Sequence, residues 1–137
     1  WGFHNRLSSL LNQHAELCAR LWIEVSEYGA FCQLEAFRDL ARSVKALHCR
    51  IGIEHAGQRL GDLAQLADLG LDYLKVDSSL VRAIDQHSGN QALLKGLCKM
   101  AHTFGITVIA EGVQTEAELS LLPQLGFDAA TGPGVAK

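Results

Sequence analysis

A chain of 137 residues has room for one ordinary core and no more. Its 48% hydrophobic and 20% charged residues exclude disorder, and a net charge of −3 without a basic run argues against a surface for nucleic-acid polymers. No stretch approaches the ~18 uninterrupted apolar residues of a membrane span, and Trp1–Arg6 lack a secretory-signal pattern. Without an initial Met, and stopping just after a glycine-rich turn, the chain reads as a piece of something larger.

Leu7, Leu10, Leu11, Leu17, Cys18 and Leu21 recur at helical spacing and give way to a predicted strand, Leu21–Ser26. Leu34, Phe37, Leu40, Val44 and Leu47 form the stripe of a second helix. A strand over Arg50–His55 follows, then a short helix over Leu60–Leu69 ended by Gly70. Tyr73–Asp77 predicts a strand and Ser79–Asp85 a short helix. Asn90 is the expected N-cap of a helix carrying Leu93, Leu94, Leu97, Ala101 and Phe104, closed by Gly105. After the strand Ile106–Glu111, Thr115 and Glu118 form a capping box for the helix of Leu119, Leu122 and Leu125. Gly126 ends it, and Phe127–Thr131 is a final strand. Such alternation with short connections means an α/β fold with a parallel sheet. The cysteines Cys18, Cys32, Cys49 and Cys98 share no C-x-x-C spacing and are expected as buried thiols rather than a zinc site.

The strand ends carry the chemistry. Alternation sets Ile23 and Val25 against Trp22, Glu24 and Ser26, and Leu74 and Val76 against Lys75 and Asp77. Ile51 and Ile53 likewise oppose Gly52 and Glu54, while Val108 and Ala110 oppose Thr107, Ile109 and Glu111. In a parallel sheet the C-terminal ends converge, so Glu24, Glu54, His55, Lys75, Asp77 and Glu111 should surround one cleft. Charges gathered there must pair, bind a metal or meet a polar ligand; Lys75 is the expected partner of Glu54 or Glu111, and the oxygens suit Mg²⁺ or Mn²⁺. His4, His14, His48, His87 and His102 are expected as surface or packing residues, Gly112 and Gly132 as turn residues, and Asp62, Asp68 and Asp72 as solvated charges.

Glu24-Val25-Ser26-Glu27, Leu74-Lys75-Val76-Asp77 and Ala110-Glu111-Gly112-Val113-Gln114-Thr115 resemble, in order and spacing, three motifs of the EAL family, E-I-T-E, L-K-I-D and A-E-G-V-E-T. The resemblance runs from about residue 7 to the end. It implies a TIM-like (β/α)8 barrel of about 250 residues, of which residues 1–137 are the C-terminal part with about five strands. It also implies cyclic di-GMP phosphodiesterases and receptors as relatives. The name-giving Glu-Ala-Leu segment and the strand with an Asn metal ligand are not in the chain.

By that resemblance Glu24 falls on a metal-binding glutamate, and Glu27 on the glutamate that steadies the loop after the next strand. Lys75 falls on the lysine near attacking water and phosphate, Asp77 on an aspartate close to the nucleotide, and Glu111 on the glutamate completing the site. Glu54-His55-Ala56-Gly57 stands where active members carry Asp-Asp-Phe-Gly, and Gln58-Arg59-Leu60-Gly61-Asp62-Leu63 where they carry T-G-Y-S-S-L. Thr131-Gly132, followed by Pro133-Gly134, stands where they carry Gln-Gly. A longer carboxylate at Glu54 and a neutral nitrogen at His55 ill suit a pair of Mg²⁺ ions.

The expectation is therefore a catalytically degenerate receptor, similar to LapD-type receptors, the cytoplasmic domain of an inner-membrane protein. It binds cyclic di-GMP through Lys75, Asp77, Glu111, Thr131, Gly132 and Pro133, as a homodimer acting on an unspecified output protein. Binding requires no cofactor, and Glu24, Glu54 and Glu111 are at most weak metal ligands. The alternatives are a residual phosphodiesterase using Mg²⁺ or Mn²⁺ and a ligand-free interaction module.

Overall fold

The computed structural model describes residues 21–135. The expected first helix and Cys18 lie outside them. Within them the elements run β1 (Trp22–Ser26), α1 (Glu27–Cys32), α2 (Leu34–Ala46), β2 (Arg50–Ala56), a 3-10 segment (Leu60–Leu69) and β3 (Tyr73–Val76). Then come α3 (Ser78–Val81), a short 3-10 turn (Ile84–Gln86), α4 (Ser88–Thr103), β4 (Thr107–Ala110), α5 (Glu116–Leu125) and β5 (Ala129–Ala130).

All four strand pairings are parallel, and the sheet order β1-β2-β3-β4-β5 follows the sequence. A doubly wound sheet reverses its strand order at a switch point; a barrel does not. The order is the barrel kind, as expected. Ile51, Ile53, Val76, Val108 and Ala110 are fully buried and pack with Phe37, Leu40, Val44, Leu66, Leu94 and Ala101 in a single cluster between sheet and helices.

Several local expectations need correction. α1 is an unexpected helix, begun where the Ser26 hydroxyl accepts from the Gly29 amide. The expected helix Ser79–Asp85 is split, because Ala83 takes a left-handed φ of 54°. α4 starts at Ser88 without a side-chain cap, so Asn90 lies inside it. Its stripe is narrower than the sequence implies, since Leu94, Leu97 and Ala101 are buried while Leu93 and Phe104 are exposed. Cys49 and Cys98 are buried, but Cys32 is exposed.

Asp72 is not a solvated charge. It accepts the Ile51 amide at 2.8 Å and pairs with Lys45 at 3.0 Å, tying the last turn of α2 and the start of β2 to β3. Asp128 repeats the device, accepting the Val108 amide at 2.8 Å with His102 Nε2 2.7 Å away, so α4 and β4 are tied to β5. Asp62 and Asp68 are solvated as expected, with Arg59 and Arg38 beside them. Asp72 and Asp128 each take a cation from the helix before, Lys45 and His102, which no local pattern shows.

Candidate functional site

At the C-terminal ends of the strands the charged residues meet in one cleft, as expected. Glu24 comes from β1, Glu54 and His55 from the end of β2, Lys75 from β3, and Asp77 and Glu111 from the loops after β3 and β4. β2 carries a bulge here: Ile53 pairs with Leu74 but Ala56 pairs with Val76, and His55 has φ of 54°. The bulge breaks the alternation, so Glu54 and His55, neighbours in sequence, both reach the cleft.

His55 is the hub. Its Nδ1 lies 3.0 Å from Asp77 Oδ1 and 3.9 Å from Glu111 Oε1, and its Nε2 lies 3.9 Å from Glu54 Oε2. Its backbone N–H donates to Glu111 Oε1 at 3.4 Å. The Asp77 hydrogen bond raises the imidazole pKa against the opposing effect of burial, and Glu111 and Glu54 add to the rise. Asp77 is itself held below the ordinary carboxylate range by Ser79, whose amide it accepts as the N-cap of α3, and by His55.

Lys75 does not pair with Glu54 or Glu111 as expected; its Nζ donates to Glu24. β1 lies two strands away, yet register makes Glu24 the neighbour of Gly52 and Gly52 that of Tyr73. With no side chain of its own, Gly52 lets the Tyr73 ring lie over it, and Lys75 reaches Glu24 with its Nζ 5.6 Å from the centre of that ring. Although burial pushes Glu24 up, Lys75 holds it below the usual range, and Glu24 in turn raises Lys75. Glu54 is raised by burial and by Glu24 beside it. Below this layer the Tyr73 ring is buried, stacked 5.2 Å from Trp22, and its hydroxyl has no hydrogen-bond partner among the described residues.

Two buried carboxylates hold the loops. Glu27, 2% exposed, accepts from the amides of Gly57, Gln58 and Arg59, the loop-steadying arrangement that the resemblance implies. Glu118, also 2% exposed, closes the expected capping box with Thr115. It does more: Oε1 accepts from Gln114 at 2.8 Å, while Oε2 accepts from Ala83 at 2.7 Å. The box is legible in sequence; the second oxygen's reach across 35 residues is not.

Thr131, Gly132 and Pro133 lie exposed beside the Glu111 loop. The Thr131 carbonyl accepts from Val113 at 2.9 Å. Gly132, at φ of 129°, lies so close that a Cβ would stand 2.4 Å from the Val113 nitrogen. Thr131 and Gly132 are therefore fixed to the loop after Glu111 through main chain.

Among the described residues, no three His, Cys, Asp or Glu side chains are placed to take one ion. Glu24 is committed to an ammonium and Asp77 to an imidazole and an α3 amide.

The EAL domain family matches residues 1–137 of the chain. Cyclic di-GMP phosphodiesterase TpdA of Vibrio parahaemolyticus is 30% identical over 80% of the chain, which covers 19% of that protein. Among solved structures, the PaMucR phosphodiesterase in complex with c-di-GMP aligns with a TM-score of 0.78 and 26% identity, over 89% of this chain and 49% of that one. Vibrio cholerae LapD bound to c-di-GMP aligns with a TM-score of 0.85 over 96% of this chain and 32% of that one; at 23% identity this likeness speaks for the fold alone. The chain spans 13% to 19% of the length of the first curated relatives it matches.

Proposed function

Because the chain belongs to the EAL domain family, we propose that it is the part of a signalling domain that binds cyclic di-GMP without cleaving it. One observation carries the reading: an imidazole, not a carboxylate, occupies the centre of the charged cleft between Asp77, Glu54 and Glu111. A hydrolytic centre built on two hard cations needs oxygen ligands where His55 stands. A receptor needs only complementarity to an anionic dinucleotide.

The side chains supply that complementarity. Lys75 and protonated His55 offer N–H donors to phosphate, while Asp77 and Glu111 accept from guanine N–H or ribose hydroxyls. Thr131, Gly132 and Pro133 add a rim on the Glu111 side. The reading extends to binding without a metal or cofactor, to a homodimer, and to a cytoplasmic domain; no helix among the described residues is long and apolar enough to cross a membrane.

Calorimetry on the protein at its full natural length tests the reading. Micromolar cyclic di-GMP is expected to give a heat of binding that EDTA leaves unchanged, and Lys75→Met should weaken it about tenfold, the worth of one charge-assisted hydrogen bond. No heat at all removes the receptor reading, and a nucleotide-independent dimer would then favour an interaction module.

The 30% identity to the TpdA phosphodiesterase keeps residual hydrolysis as a second reading, with Glu24, Glu54 and Glu111 as the retained carboxylates. It is tested by cleavage to the linear dinucleotide with Mn²⁺, against Glu111→Gln. Equal rates in the two proteins would sink it.

A further inference from the structure

Glu118 stands outside the cleft, on the first turn of α5, yet it is among the least exposed charged groups of the described chain. A buried carboxylate must be compensated, and here three backbone amides do so. Two of them, Gln114 and Thr115, belong to its own helix start and cap α5. The third, Ala83 at 2.7 Å, belongs to the turn after α3, on a different βα unit. Ala83 is in the left-handed region at φ of 54°, where a residue with a Cβ is strained. Turned this way, its N–H is the one that Glu118 receives.

The two segments so joined are the ones that carry acids of the cleft. Asp77 caps α3, six residues before Ala83, and Glu111 opens the loop that ends at Gln114. Their backbones also touch directly: a Cβ on Gly112 would stand 2.5 Å from Ser78 Cβ. Gly112 on Ser78 is the near contact and Glu118 on Ala83 the far one. Two separated contacts fix an angle that one contact leaves free.

We infer that Glu118 is a positioning residue of the ligand site: by holding the Ala83 turn against the Gln114 loop it sets the spacing between Asp77 and Glu111, and with it the affinity for cyclic di-GMP. The inference rests on the reading that these two residues face the dinucleotide. Glu118 acts through the loops and does not touch the ligand.

The test uses the protein at its full natural length, with calorimetry on cyclic di-GMP beside thermal melts and amide hydrogen exchange. Glu118→Gln keeps an oxygen for Gln114 and Thr115 but turns an NH₂ towards the Ala83 N–H. It is expected to weaken binding about tenfold, as loss of a charged hydrogen-bond acceptor would, and to speed exchange at Ala83. Thr115→Ala removes the hydroxyl cap of the same helix but leaves Ala83 held, so it should lower Tm and keep wild-type affinity. The double variant Glu118→Gln/Ala83→Gly, in which glycine takes the left-handed turn unaided, should regain affinity to within about threefold. Wild-type affinity in Glu118→Gln, or equal affinity losses in Glu118→Gln and Thr115→Ala, overturns the inference alone. Failure of the unmodified protein to bind removes the reading of the site, and the inference with it.

Discussion

Glu27 and Glu118 are both nearly dry, and each receives three main-chain N–H groups instead of one cation. For Glu118, burial pushes the carboxyl up, but the amides of Gln114, Ala83 and Thr115 outweigh it, with Arg82 adding to them, and its pKa stays below the usual glutamate value. A depressed folded pKa stabilises fully above the unfolded value, about 4.3, and the contribution fades as pH falls through the folded one. Glu118→Gln should therefore lower the urea midpoint at pH 7 and flatten its decline on the acid side. An acid limb as steep as wild type would refute that.

His55 behaves with the opposite sign: its pKa is raised, so what it contributes is complete below about 6.5 and is lost as pH rises through the folded value. Imidazole titration followed by NMR should give a midpoint above 6.5, and Asp77→Asn should bring it down; an unmoved midpoint would show that Asp77 is not the cause. Sequence placed Glu54, Asp77 and Glu111 in one cleft because strand alternation and parallel pairing are enough for that; His55 joins them through the bulge in β2, which alternation does not show. It misassigned the partner of Lys75, since pairing across two strands depends on Gly52 having no side chain between Glu24 and Tyr73.

Secondary elements show the same division. Helices with a wide apolar stripe and strands ending in an acid were readable from period alone, which is why β1 to β4 fall where expected. α1 and the split at Ala83 were not readable: α1 depends on a single serine cap, and the split on a tertiary acceptor for one amide. The repeated clasp of Asp72 and Asp128 belongs to this scale, because each ties the helix before one strand to the start of the next. Asp128 is pushed up by burial but held low by the Val108 amide and His102. Asp128→Asn keeps an oxygen for Val108 and loses the charge beside His102, so about 0.5–1 kcal/mol of stability at neutral pH should disappear from a denaturation curve.

The β2–β3 contact is less tolerant. A Cβ on Gly52 would stand 2.4 Å from the Tyr73 ring, and that ring is hemmed in by Trp22. Gly52→Ala should cost about 1–3 kcal/mol by overpacking, and a second change, Tyr73→Leu, should recover most of it. No recovery would mean that the backbone, not the ring, resists the methyl group.

At the scale of the molecule, the described sheet has four parallel pairings and two outer strands, and the chain covers 49% of the PaMucR phosphodiesterase structure it resembles. β1 has β2 as its one partner among the described residues, leaving polar backbone groups along its other edge. The side chains on its cleft face are exposed as well: Trp22 is 55% accessible although it stacks on Tyr73 and lies 5.1 Å from the Arg50 guanidinium. A large aromatic held in place on one side and bare on the other is a surface waiting for another strand, and a barrel would supply one. Trp22 can report this once Trp1, the other tryptophan of the 137 residues, and every tryptophan elsewhere in the full-length protein are replaced by phenylalanine. In the 137-residue chain by itself, Trp22 emission should be red-shifted and readily quenched by iodide. In the protein at full natural length the emission should move to the blue and the quenching constant should fall severalfold, because further strands cover the ring. Equal quenching in the two would mean that β1 remains an outer strand even in the whole protein, and that the Lys75–Glu24 pair beside it faces solvent rather than the middle of a closed cleft.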